Sequence, residues 1–387
     1  MTKRMNCRVC GSDRLQLVYD FGPQPLAGEF PLVPETKRSA KRFLLDLTQC
    51  DECGLLQVTN LPPIGAVFHD DYRYSSSTVP ALVRHFTDYA EWLAELVPKD
   101  AAILEFGCND GVLLSKLSDM GYSCAGVDAS DNVAEVARAR NLRVHTGFMT
   151  ESLVRDQNLE AKHDLVTCSN VLAHIDNVNS TLSAVRASLK PGGLFVIEVH
   201  DAKALVRDMQ FETIYHEHLT YFTELTLRRM VESAGFAFVE CSTTPMHGGA
   251  LRLVCRHQEG GFESAPALDD AEWIDGTKFA AAIERCVDDV RKATSQYGLL
   301  DGYGAAGRAQ MFINMTRTAD CFERVFDDSS FRQNRYIVGT DVPICQFGSP
   351  HGRACVILAW NYAETIAERI RDQYEEVLTV LPQRVRW

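Results

Sequence analysis

From about residue 100 the chain alternates short apolar runs with segments whose apolar residues recur at helical spacing. Ala101-Ala102-Ile103-Leu104-Glu105-Phe106 predicts a strand, and Val112, Leu113, Leu114 and Leu117 predict the helix after it. Ser123-Cys124-Ala125-Gly126-Val127 predicts a second strand, ending in Asp128. Leu165–Cys168 and Leu194–Val199 predict later strands, the second entered through Pro191-Gly192-Gly193. Alternating strands and helices argue for an α/β fold with a mainly parallel, doubly wound sheet and a ligand at the carboxyl ends of its strands.

Upstream, Ala81, Leu82, Phe86, Tyr89, Leu93 and Leu96 predict a helix over about 80–98. The polar and aromatic run Asp70-Asp71-Tyr72-Arg73-Tyr74-Ser75-Ser76-Ser77 has no period and reads as a connecting loop. Downstream, Ala280, Ile283, Cys286, Val290 and Ala293 predict a long helix. Strand-like stretches follow at Gly298–Tyr303, Arg324-Val325-Phe326 and Ala354–Trp360, which predicts a second, smaller Rossmann-like α/β unit. The chain then divides into an N-terminal module (1–70), a central domain (71–255) and a C-terminal domain (256–387).

Composition narrows the partners. The 387 residues suit two or three compact units. A formal net charge of −13 repels phosphate backbones and anionic lipid, so neither nucleic acid nor a membrane surface is expected as a partner. The longest apolar runs fall far short of the roughly 20 residues that span a bilayer. The first residues, with Lys3 and Arg4, lead into no apolar segment of the export type, so the cytoplasm is the expected location.

Thirteen cysteines are spread over the chain, and Cys168, Cys241, Cys255 and Cys355 sit singly in apolar runs, as buried thiols do. Cys7-Arg8-Val9-Cys10 and Cys50-Asp51-Glu52-Cys53 differ, because each Cys-x-x-Cys turn aims two sulfurs at one point. Two such knuckles make a tetrahedral thiolate site that suits zinc. Four filled positions leave none open for substrate, so the zinc is structural and staples a segment too small to hold itself together.

The turn after the first central strand, Glu105-Phe106-Gly107-Cys108-Asn109-Asp110-Gly111, lacks Gly-x-Gly-x-x-Gly spacing because Asn109 stands in place of the second glycine. A pyrophosphate would lose its close backbone approach there. An acid at the strand end and a second acid, Asp128, after the next strand suit a ligand with an ammonium and a ribose, which points to S-adenosylmethionine. Phe148, in Gly147-Phe148-Met149 after the third strand, offers a face for adenine or belongs to the core. Asn170, after the fourth strand, is placed with the cofactor contacts. The later turn Gly302-Tyr303-Gly304-Ala305-Ala306-Gly307-Arg308 does fit Gly-x-Gly-x-x-Gly. Its helix N-terminus and Arg308 could cradle a substrate phosphate, and Asp327 or Asp328 could stand near a ribose.

Two histidines, two tyrosines and two glutamates crowd into residues 211–222. That density suits proton abstraction beside a ketone, where a base forms an enolate whose oxygen is held by donors. His218 is assigned as base, Glu217 as the carboxylate that fixes its tautomer and Tyr215 as the donor. A metal at His216-Glu217-His218 would lack His-Glu-x-x-His spacing. His174 would face the same cleft, and His247-Gly248-Gly249 would let a ligand approach the backbone.

Together these motifs resemble the sugar C-methyltransferase family typified by the C-3'-methyltransferases of deoxysugar antibiotic biosynthesis. The resemblance runs from the Cys-x-x-Cys pairs through the Asp71–Ser77 loop, Glu105–Gly111, Tyr215–Phe222 and His247–Arg252 to Trp360-Asn361-Tyr362-Ala363. It implies a zinc module, a central S-adenosylmethionine domain and a C-terminal domain that helps bind a dTDP-linked 4-keto-deoxysugar. It also implies Tyr215, Glu217, His218 and His174 as the catalytic group, with Tyr72 or Tyr74 approaching the sugar. Two departures touch the substrate side: Ala305 to Gln310 differs from the Ala-Ser-x-Lys-Gly-Asn of relatives, and Ala250 replaces a common serine. The rival readings are a bifunctional enzyme or NADPH-dependent ketoreductase that acts on the same keto-sugar nucleotide through the Gly304 turn, and a non-catalytic zinc module that binds a protein partner.

Overall fold

The computed structural model describes residues 2–35, 40–63, 76–78, 80–258, 273–348, 350 and 352–387. In the N-terminal module each knuckle is closed the same way: the amides of Gly11 and Gly54 donate back to the carbonyls of Cys7 and Cys50, at 3.1 and 2.9 Å. Both glycines have φ of +77°, a conformation that admits glycine without strain. The strand Leu15–Gln24 pairs antiparallel with Phe43–Cys50, which pairs with Leu56–Val58. The fourth strand of this sheet, Thr220–Tyr221, comes from far along the chain.

The central sheet has seven strands. Across it run Phe236–Thr244, Ala250–His257, Leu189–His200, His163–Ser169, Ala102–Phe106, Ser123–Asp128 and Val144–Thr146. The last five are mutually parallel, and the Phe236–His257 hairpin closes one edge antiparallel. The strand expected at Leu194–Val199 begins earlier, at Leu189, with an irregularity where Pro191-Gly192-Gly193 breaks the register. The helix Pro80–Leu96 buries Tyr89, Ala90 and Leu93 against Leu113 and Leu117 of Val112–Asp119. It opens on a proline, which needs no hydrogen-bond acceptor at a helix start.

The C-terminal sheet also has seven strands. Its parallel centre is Pro343–Cys345, Phe322–Phe326, Leu300–Tyr303, Ala354–Ile357 and Glu376–Thr379. The helix Thr277–Tyr297 turns Phe279 and Ala282 inward ahead of Cys286, Val290 and Ala293, so its first buried position is Phe279 and not Ala280. The apolar run to Trp360 ends as a strand at Ile357, and Trp360–Tyr362 forms a 3-10 turn. Cys168, Cys255 and Cys355 are buried, while Cys241, in the edge strand Phe236–Thr244, is only partly so.

Among the described residues the zinc head has no core of its own. Leu45, Leu47, Leu56 and Val58 share one apolar cluster with Phe211, Ile214 and Tyr221 of the central domain and Phe279 and Phe312 of the C-terminal domain. Val9 and Leu55 share another with Leu172, Phe222 and Leu227. Apolar burial of this kind stabilises by about 25 cal/mol per Å², so the head is held by its neighbours as well as by its metal site.

Candidate active site

The four sulfurs of Cys7, Cys10, Cys50 and Cys53 lie within 4.8 Å of one another. Cys7–Cys53 and Cys10–Cys50 stand at 3.5 Å, and all four are free thiols. Tetrahedral zinc with bonds of about 2.3 Å needs sulfur edges of roughly 3.8 Å, so the donor set fits.

At the carboxyl end of Ala102–Phe106, Glu105 is only 3% exposed, and its Oε2 is buried with no partner among the described residues. Burial, then the nearby Asp128 and Asp110 carboxylates, push its pKa well above the ordinary range. An orphaned carboxylate oxygen of this kind fits an incoming ammonium. Gly107 and Gly111 have φ of +67° and +77°, and a Cβ on either would collide with Val171 or Leu142. Asn109 tolerates a φ of +49°, and its amide donates to Asp128 Oδ2 at 2.8 Å. The Ser130 amide occupies Asp128 Oδ1 at 2.9 Å. Phe148 is 60% exposed, which removes it from the core. Asn170, at φ +55°, donates its amide to the Glu198 carbonyl.

The predicted cluster at residues 211–222 does not point one way. His216 donates Nε2 to the Phe43 and Leu44 carbonyls of the head, both at 3.2 Å, and so is structural. Glu217 turns away from the imidazoles and accepts the Gly28 amide at 3.0 Å; burial raises its pKa to about 7. The three adjacent side chains diverge and make no metal site. His218 is fixed by a backbone carbonyl and not by the Glu217 carboxylate, because its Nδ1 lies 2.9 Å from Thr213 O. A carbonyl can only accept, so Nδ1 carries the proton and Nε2 keeps its lone pair. The Tyr215 hydroxyl meets that Nε2 at 2.8 Å.

His174 donates Nδ1 to the Glu217 carbonyl at 2.6 Å, and its ring lies edge-on to His218 with centroids 4.9 Å apart. Burial lowers the pKa of both, that of His218 well below the ordinary imidazole value, so both are neutral at neutral pH.

Arg308, expected to reach for a phosphate, is committed elsewhere. It pairs with buried Glu212, with Nε at 3.1 Å, donates to the His247 carbonyl at 2.9 Å and lies over the Trp360 ring. Trp360 Nε1 also donates to Glu212, at 2.9 Å. His247 has φ +54° and a pKa lowered by burial, then by Arg308, to about 4. A Cβ on Gly248 would meet Trp360 at 2.4 Å. Gly304 has φ +92°, and Asp327 holds Arg332 at 2.8 and 3.0 Å. Tyr72 and Tyr74 lie outside the described residues; beyond them, the Ser76 and Ser77 amides donate to Asn109 Oδ1 and Asp110 Oδ2.

Several residues of the site escaped the sequence reading. His200 ends the strand Leu189–His200 and pairs its Nε2 with Gln210 Oε1 at 3.0 Å; burial and Arg308 lower its pKa to about 3. Glu198, buried in the same strand, accepts from His85, Ser169 and Arg252, each at 2.7 Å. The available signal was a glutamate and a histidine near the carboxyl end of an otherwise apolar parallel strand, where ligands of such sheets bind.

Three protein families match the chain: a zinc binding domain over residues 7–68, a methyltransferase domain over 82–241 and a C-methyltransferase C-terminal domain over 245–381. C-methyltransferase NovU of Streptomyces niveus is 28% identical over 95% of this chain and 93% of its own. A ubiquinone biosynthesis O-methyltransferase of Bordetella avium is 29% identical over 27% of this chain and 45% of its own. Magnesium protoporphyrin IX methyltransferase of Synechocystis, solved with bound SAH, covers 46% of this chain and 83% of its own at 16% identity, with a TM-score of 0.38.

A seven-stranded sheet with an orphaned strand-end acid, matched by a methyltransferase family, defines an S-adenosylmethionine-dependent methyltransferase. With all three family matches in chain order and a C-methyltransferase similar almost end to end, the chain is an S-adenosylmethionine-dependent C-methyltransferase that resembles the sugar C-methyltransferase family. Its cofactors are S-adenosylmethionine and a structural zinc ion.

Proposed function

We propose that this protein methylates the carbon beside the ketone of a dTDP-linked 4-keto-deoxysugar, at C-3, in deoxysugar and antibiotic biosynthesis. The observation that carries this reading is the His218–Tyr215 pair: a neutral imidazole whose unprotonated Nε2 accepts from the Tyr215 hydroxyl at 2.8 Å. His218 Nε2 takes the proton from the carbon, the C–H electron pair moves into the enolate, and the Tyr215 hydroxyl is the donor at hand for the enolate oxygen. His174 shares the His218 tautomer and stands beside it as the second neutral imidazole. S-adenosylmethionine, when bound, supplies the electrophilic methyl group that the enolate carbon attacks. Glu105 holds its ammonium, the Gly107–Gly111 turn its backbone, Asp128 its ribose, and Phe148 and Asn170 flank it.

On the substrate side, Tyr72 or Tyr74 approaches the sugar together with His247 and Gly248 of the central unit, while Gly304, Arg308 and Asp327 face it from the C-terminal unit, with residues 1–70, 71–255 and 256–387 as the three units. Arg308 and Asp327 act there through the ion pairs they already make. Four reduced thiolates suit the cytoplasm. Among the described residues no helix is long and apolar enough to cross a membrane.

Replacing His218 by asparagine tests the reading. Methyl transfer and solvent exchange of the substrate's α-proton should both be lost while S-adenosylmethionine still binds. Exchange that persists removes His218 as base.

A further inference from the structure

Between the strands Leu15–Gln24 and Phe43–Cys50 the zinc head sends out a strap, residues 25–35, that leaves its own sheet and reaches both other units. On the C-terminal side the strap is anchored repeatedly. Gln310, on the helix Gly307–Thr316, donates Nε2 to the carbonyls of Ala27 and Glu29, at 3.3 and 2.6 Å. Arg335 donates to the Phe30 carbonyl at 2.9 Å, and the Tyr336 amide to that of Pro31 at 2.9 Å. Leu26 and Ala27 are buried, and a Cβ at Gly307 would stand 3.3 Å from that of Ala27.

On its other side the strap makes the Gly28–Glu217 hydrogen bond already described. A Cβ on Gly28 would lie 3.4 Å from the same Glu217 oxygen, so the two surfaces are in contact. The backbone carbonyl of Glu217 holds His174, and His218 is its chain neighbour. The orientation of one carboxyl group is therefore tied to the placement of both imidazoles, and the part that fixes it belongs to the zinc head.

We propose that the strap is a positioning element of the active site: with Gln310 holding it on one side, the Gly28 amide fixes Glu217 on the other, so the zinc head sets the geometry of the catalytic loop. The proposal rests on the C-methyltransferase reading. The strap projects from the Gln24–Phe43 end of the hairpin, and the zinc ligand Cys50 pairs with Leu15 at the opposite end, so the metal anchors the same two strands from their far side. Gly28 and Gln310 are positioning residues, acting through Glu217.

The test is a double-mutant cycle on the full-length zinc protein, read in methylation kcat and KM and, separately, in urea denaturation. Gly28→Pro removes the amide donor, Gly28→Ala keeps it, and Glu217→Leu removes the acceptor. We expect Gly28→Pro to lower kcat about tenfold or more with little change in the KM for S-adenosylmethionine. Gly28→Ala should restore most of kcat, and Gly28→Pro/Glu217→Leu should be no slower than Glu217→Leu alone. Additive losses, or an unchanged kcat in Gly28→Pro, would overturn the proposal. If Gly28→Pro loses zinc, Gln310→Leu severs the strap from its other side and enters the same cycle with the same expectation. A wild-type protein that transfers no methyl group to any keto-sugar nucleotide would defeat the C-methyltransferase reading on its own. Absence of Gly28–Glu217 coupling in urea defeats the strap in either case.

Discussion

In the turn after Ala102–Phe106 the Gly107 amide donates to the Val127 carbonyl at 2.7 Å; in the turn after Leu300–Tyr303 the Gly304 amide donates to the Phe326 carbonyl, also at 2.7 Å. The likeness continues on the next strand. Asp128 accepts the Asn109 and Ser130 amides, and Asp327 accepts those of Ala305 and Ser329. Two differences break the symmetry. Where the first turn has Glu105, two residues before its glycine, the second has Gly302. Arg332 then neutralises Asp327, whereas Asp128 has only backbone partners among the described residues. One backbone frame thus serves two ends: the first keeps a buried carboxylate oxygen without a partner among the described residues, and the second has spent its charge internally. The Gly-x-Gly-x-x-Gly spacing of the second turn is a feature of the frame, and it does not by itself make a nicotinamide site.

The most direct way to break this comparison is to remove the acid that only the first turn has. Glu105→Ala should weaken S-adenosylmethionine binding on the order of a hundredfold, because the ligand's ammonium would lose its buried partner. Calorimetry would show it, and an affinity within threefold of wild type would refute the assignment of Glu105. The second turn predicts the opposite profile. Asp327→Ala leaves Arg332 without its buried partner and should cost about 3 kcal/mol of stability in urea denaturation. Its affinity for S-adenosylmethionine should stay unchanged. A large affinity loss there would mean that the methyl donor uses both turns.

Much of this contrast was legible in the sequence, and the illegible part has a common cause. The strand-end acid, the missing second glycine and Asp128 are local spacings, and local spacings survive folding. The paired Cys-x-x-Cys knuckles were legible for the same reason. Partner choice was not legible where it depended on contacts distant in sequence. Glu217 stands next to His218 in the chain, yet its carboxylate meets Gly28, 189 positions away. Arg308 sits at a helix start that suits a phosphate, yet Glu212 holds it from 96 positions away. The strand Thr220–Tyr221 completes the head's sheet from within the central domain, a long-range pairing that no periodicity announces.

The smallest expected effect is also the one most specific to the first turn. Burial, reinforced by Asp128 and Asp110, raises the Glu105 pKa, so the folded protein binds more protons than the unfolded chain between the ordinary carboxylate value and the raised one. In that window stability contributed by Glu105 is present at the acid end and lost as pH rises. An arriving ammonium favours the carboxylate, so S-adenosylmethionine binding should expel a fraction of a proton and tighten as pH increases across the window. Calorimetric titrations in buffers of different ionisation enthalpy read that fraction directly. Asp128, whose pKa is also raised by burial, is expected to contribute to the same release in its proposed place at the ribose. Glu105→Gln therefore separates the two acids: the release should fall in this variant, and an unchanged value would assign the whole effect to Asp128. Because Gly302 occupies the matching position in the second turn, dTDP bound on the C-terminal side should expel no proton through this route.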